Sequence, residues 1–136
     1  MMISIFKKKS KTIEEHLKDS VQKPKVNFQI DIIRNSLVEI QITRQRLLKK
    51  FGININSPEG FSISITFDQK NEEDYQRFLK SDLYSKSIHL EKFGKAYFFL
   101  CENSLQDVLG LLNQIQVSVY EYTKDTAYSY RYTKHK

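Results

Sequence analysis

The residues able to do bond chemistry are few in this chain, and their spacing limits them further. His16, His89 and His135 stand far apart, and no cysteine, histidine or aspartate recurs at a spacing that closes a metal site. The four glycines, Gly52, Gly60, Gly94 and Gly110, are scattered, so none belongs to a phosphate-cradling loop. No serine lies in a nucleophile elbow. Cys101 is the one cysteine, which excludes an internal disulfide, and its apolar neighbours predict a buried thiol in a reducing compartment. No catalytic residue, metal ligand or cofactor is assigned, and the expected class is a non-catalytic binding protein.

Charge is the more informative chemistry. The net charge is +6, and residues 1–52 hold twelve Lys or Arg against five Asp or Glu. Residues 53–136 hold ten against eleven. A basic end on a near-neutral remainder predicts one surface for an anionic partner. Its expected residues are Lys7, Lys8, Lys9 and Lys11 in a short flexible arm (1–11), with Arg44, Arg46, Lys49 and Lys50 farther on. The plainer alternative is that a basic end keeps a small protein soluble. The lysine-rich, alanine-poor composition fits an AT-rich genome, as in many bacteria and their phages.

The elements that must position these groups fit one domain of 136 residues, long enough to bury a core. With 40% hydrophobic residues the chain is too apolar for disorder. No apolar stretch approaches the roughly 20 residues of a membrane-spanning helix. Met1–Phe6 is too short for a signal-peptide core, so a cytoplasmic protein is expected. Ile3, Ile5 and Phe6 with the arm's lysines would give only weak membrane contact.

Residues 12–52 read as a mainly helical basic region. Thr12 and Glu15 form a capping-box pattern that starts a helix over 13–22, and Lys23-Pro24 ends it. Residues 26–33 fit a strand or a helix equally. Ser36 with Glu39, the last-turn lysines Lys49 and Lys50, and Gly52 beyond them predict a helix over 36–51. From residue 58 to 136 an α+β sheet unit follows. Phe61, Ile63, Ile65 and Phe67 alternate with polar residues as a half-buried strand, and 71–80 reads as a helix with an acidic first turn. Ile88 and Leu90 mark a second strand, and Gly94 turns the chain into a third, 95–101. Asn103 or Ser104 caps a helix to about Ile115. Residues 117–122 and 127–133 read as two last strands around a turn at Lys124-Asp125. Residues 61–122 thus give βαββαβ, the ferredoxin-like order, with an N-terminal helical extension and an extra C-terminal strand.

In that order helices cover one sheet face only. Alternation sends Ala96, Phe98, Leu100, Val117 and Val119 to the core. It leaves Tyr97, Phe99, Tyr120, Tyr122, Tyr128, Tyr130 and Tyr132 on the open face. Such a face could be covered by the N-terminal helices, dock a protein or a second copy, or stack bases.

The stretch from Lys92 to Leu100, with Gly94, Ala96 and Tyr97 at pattern positions, resembles the signature segment of the RNA recognition motif. That family shares the βαββαβ order and stacks bases on aromatics of its third strand. Lys95 and Ser64 stand where that family has further aromatics. Small nuclease families of the same fold place an acidic residue after the first strand, where this chain has Asp68. Aspartate is also an ordinary turn residue there. The leading expectation is nucleic-acid binding, with lysines and arginines on phosphates and aromatics on bases. The alternative is a protein-interaction module, of immunity, inhibitor or phage accessory type, that docks or dimerises through the tyrosine-rich sheet.

Overall fold

The computed structural model describes residues 11–135. Helix α1 (Ile13–Gln22) starts as its sequence dictates. Thr12 Oγ1 accepts from the Glu15 amide at 3.1 Å, and Glu15 Oε1 accepts from the Thr12 amide at 2.9 Å. Strands β1 (Asn27–Arg34) and β2 (Leu37–Arg44) follow as a hairpin. Its two-residue turn has Asn35 at φ 54° and Ser36 at φ 65°, the twist-matched turn in which left-handed residues join antiparallel strands.

That hairpin corrects the helix expected over 36–51. Val38, Ile40, Ile42 and Thr43 are β-branched and suit a pleated surface, and β1 supplies the partner edge that the sequence pattern could not show. The chain leaves β2 through a 3-10 turn, Gln45–Phe51, which Gly52 closes in the left-handed conformation at φ 81°.

Strand β3 (Phe61–Thr66) leads through α2 (Glu72–Lys80) and α3 (Asp82–Lys86) to β4 (Ile88–His89) and β5 (Ala96–Cys101). Helix α4 (Leu105–Ser118), capped by the Ser104 hydroxyl, runs past the expected end, and β6 (Ser129–His135) follows. The strand predicted at 117–122 is therefore absent. Val119 still bonds back to the Ile115 carbonyl, and the Tyr122 amide reaches the Gln116 carbonyl at 2.9 Å with Glu121 at φ 56°. A helix terminus of this kind takes the Val-Tyr alternation that otherwise resembles a strand.

The six strands form one antiparallel sheet in the order β4-β5-β3-β2-β1-β6. The chain is mixed helix and sheet as expected, but this strand order does not give the ferredoxin-like arrangement. All four helices pack on one sheet face, through Ile13, Leu17, Phe78, Leu83, Val108, Leu112 and Ile115. The sheet meets them with Phe28, Ile30, Ile32, Ile40, Ile42, Ile63, Ile65 and Phe99. The segment after β2 wraps onto the opposite face, where Leu48 and Ile53 cover Ala96 and Phe98. Strand β5 is thus buried on both faces, which is why its sequence is continuously apolar. Among the described residues, what stays without helix or loop on that second face is the half made by β6, β1 and β2.

Candidate interaction surface

The centre of the uncovered half is Asp31, midway along β1. Residues of one parity share this face, and the registers align Arg131, Asp31, Gln41, Ser64 and Phe98 in one row across the sheet. Thr133, Gln29, Thr43, Ser62 and Leu100 form the next row. Asp31 is only 2% exposed although no described helix lies above it. Its own neighbours cover it. Oδ1 accepts from the Gln29 and Gln41 amides at 2.8 and 2.9 Å, and Oδ2 accepts from Arg131 Nε and Nη2 at 3.1 and 2.6 Å. Burial alone would raise the Asp31 carboxyl. The bonds from Arg131, Gln29 and Gln41 outweigh it and hold the group below its ordinary range.

The arrangement fixes more than the carboxylate. Each glutamine spends an amide N–H on Asp31, which orients its carbonyl oxygen as an acceptor. Arg131 keeps a side chain 62% exposed and a terminal nitrogen without a partner among the described residues. Thr43, Ser64 and Thr133 stand beside this lattice in the same two rows and add hydroxyls to the face. Arg131 and Asp31 cancel, so the lattice carries no net charge. At the hairpin end Val38, 38% exposed, stands beside Ile33.

The residues expected to bind anions separate. Arg44 is fully buried. Its guanidinium lies between the Phe28 and Phe61 rings, at 5.2 and 4.9 Å from their centroids. It donates to the carbonyls of Ser20 (2.7 Å) and Glu59 (2.7 Å), and more weakly to Val26, Lys23 and Asn103 Oδ1. Carbonyls at and just beyond the end of α1 thus take the place of a carboxylate. Burial, then the charge of Arg46, pushes Arg44 down to about 10, which still leaves it charged at neutral pH. Its role is structural. Arg46 likewise bonds Asn27 Oδ1 and the Pro24 carbonyl. Lys49 and Lys50 are exposed, Lys11 pairs with Asp19 at 2.5 Å, and Lys7, Lys8 and Lys9 lie outside the described residues.

The aromatic set is corrected more sharply. Tyr97, Phe99, Tyr120 and Tyr122 are 2, 3, 1 and 8% exposed and belong to the helix-covered core. On β5 the expected facing is reversed, because the loop-covered face claims Ala96 and Phe98. Tyr120 and Tyr122 donate to the backbone carbonyl and the carboxylate of the buried Glu39, at 3.1 and 3.0 Å. Arg34 completes that cluster with bonds to Glu39 and to the Tyr120 carbonyl. Tyr130 and Tyr132 are half-buried under α1, where His16 stacks on Tyr132 at 4.1 Å. Tyr128 alone of the set is exposed, at 45%.

No chemistry emerges elsewhere among the described residues. No group of His, Cys, Asp and Glu could hold a metal ion. Asp68 accepts from the Lys70 amide at 2.7 Å as a cap of the following turn. Burial, then Asp107 and Glu102, pushes the Cys101 thiol up to about 11, far from a reactive thiolate. Among the described residues no helix is long and apolar enough to cross a membrane.

Sequence reasoning missed a second cluster. Phe51 and Phe93 meet edge to face at 5.4 Å, Lys50 lies over one ring and Lys92 over the other, and Lys49 is adjacent. None of these lysines has an ion-pair partner among the described residues. The signal was the two Lys-Phe neighbours, but the 42-residue separation hid their meeting. Comparisons with protein-family models, curated proteins and solved structures found no match.

Proposed function

We propose that this chain is a non-catalytic protein-interaction module that docks a partner on the uncovered half of its sheet. The observation that carries the proposal is the Asp31-centred lattice. A buried carboxylate accepts four hydrogen bonds that fix Gln29, Gln41 and Arg131 on a face that no described element covers. Protein interfaces combine such fixed polar groups and an arginine with apolar contacts, here Ile33 and Val38. The lattice's neutrality disfavours a polyanion, which needs unpaired cations. The test is capture of a stoichiometric partner from extract of the source cells. The partner should remain bound at high salt and be lost on Thr43→Arg, which fills the lattice with bulk and charge while the melting temperature stays near wild type. Equal capture by Thr43→Arg and wild type refutes the proposal. Light scattering on the isolated chain asks whether the partner is a second copy.

A second reading, nucleic-acid binding, is supported by the Lys49, Lys50, Lys92, Phe51 and Phe93 cluster, not by the tyrosines. It requires affinity for a fluorescent oligonucleotide that falls steeply between about 50 and 200 mM salt. It also requires that affinity to drop when the three lysines become alanine. Absence of binding at the lower salt discards it.

A further inference from the structure

We infer that the partner engages as an added β-strand along the outer edge of β6; this rests on the docking face proposed above and specifies its partner as an extended segment. The two edges of the sheet differ in kind. Strand β4 has two residues and runs at once into a 3-10 turn, so that edge is too short to template another chain. Strand β6 has seven residues, Ser129–His135, all paired with β1 on one side and with no strand on the other among the described residues. It carries no bulge in that pairing and no proline, and Tyr130, Tyr132 and Thr133 favour extended pairing. Its outward backbone groups have no bonding to any other described element.

Both sides of this edge are furnished for an incoming chain. On the open face Arg131 and Thr133 belong to β6 itself and border the lattice. On the helix side an open groove of about 890 Å³ lies between α1, α4 and the start of β6, with Ile13, Leu109, Leu112, Tyr128 and Tyr130 as its apolar and aromatic lining and polar side chains of 11–15 and Asn113 at its margin. Its wall also carries Gln116, whose amide nitrogen is buried without a hydrogen-bond partner among the described residues. A strand alternates its side chains between faces. One added to β6 would therefore send apolar residues toward the groove and polar ones toward Arg131, while its backbone satisfies the edge.

The probe is a random library of displayed peptides about ten residues long. Binders to the full-length chain are resynthesised with N-methyl groups at odd or at even positions. Strand addition predicts apolar residues at alternate positions, and about tenfold weaker binding for one methylation phase with little change for the other. It also predicts slowed amide exchange within 129–135 on binding. Recovery of no binder, equal effects of the two phases, or unchanged exchange in β6 overturns strand addition. If β6 is already protected in the free chain and loses that protection on Ile3→Asp with Ile5→Asp, the chain's own N-terminal segment fills the edge, which also overturns it. Partner capture sensitive to Thr43→Arg, combined with indifferent methylation, would leave the docking face standing and remove only the strand.

Discussion

Arg44, Gly60 and Asp31 show how individual residues set this structure. Arg44 bonds carbonyls from three separate segments, so Arg44→Met strands buried acceptors and should cost roughly 2–4 kcal/mol in chemical unfolding. Its position near two lysines suggested a phosphate contact, and only the three-dimensional meeting of Phe28, Phe61 and the end of α1 reveals its burial. Gly60 is constrained by close approach. A Cβ there would sit 2.3 Å from the Cys101 carbonyl oxygen and 2.6 Å from Gln45 Nε2, which holds that carbonyl at 2.7 Å. Gly60→Ala should destabilise by about 1–3 kcal/mol and loosen the segment that covers β5. Asp31 makes a pH prediction. Its folded-state carboxyl lies below the ordinary value of 3.8, so its contribution is complete above that value and is lost as pH falls through the folded-state value. Urea titrations across the acid range should show this loss in the wild type and a shallower decline for Asp31→Asn.

Elements were legible where local chemistry and burial agreed. The capping box of α1, the alternation of β3, the acidic start of α2 and the serine cap of α4 all point to what forms, because each signal is local. The two misread segments fail for definable reasons. In 36–51 a Ser36–Glu39 capping pattern with last-turn lysines coincides with a β-branched alternation, and the choice falls to the neighbouring strand β1, which is a tertiary fact. In 117–122 the alternating valines and tyrosines belong to a helix end that turns its aromatics inward to Glu39. The hairpin reading is testable at its turn. Ser36 holds φ 65°, a conformation that glycine adopts without strain, so Ser36→Gly should raise stability by roughly 0.5 kcal/mol. Were Ser36 the cap of a helix instead, the same change would cost a few tenths of a kcal/mol.

At the scale of the molecule, the sheet has one face given to helices and the other divided between a loop-covered apolar half and a bare polar half. The tyrosines that suggested a binding surface are largely core, while the lattice that replaces them is built from Gln, Thr, Ser and a paired Asp–Arg. Such residues carry no signature in sequence, since Asp31 and Arg131 lie 100 residues apart and meet only through the β1–β6 register. The positive charge is also divided, between cations tied into structure, such as Arg44 and Arg46, and the exposed Lys49, Lys50 and Lys92. The docking face is tested most directly by an amide hydrogen-exchange footprint of the chain saturated with its captured partner. Slowed exchange should concentrate in β1, β2 and β6 around Gln29, Gln41 and Arg131, with residues 49–52 and 92–93 unchanged. Protection confined to 49–52 and 92–93, with those three strands exchanging as in the free chain, would contradict it.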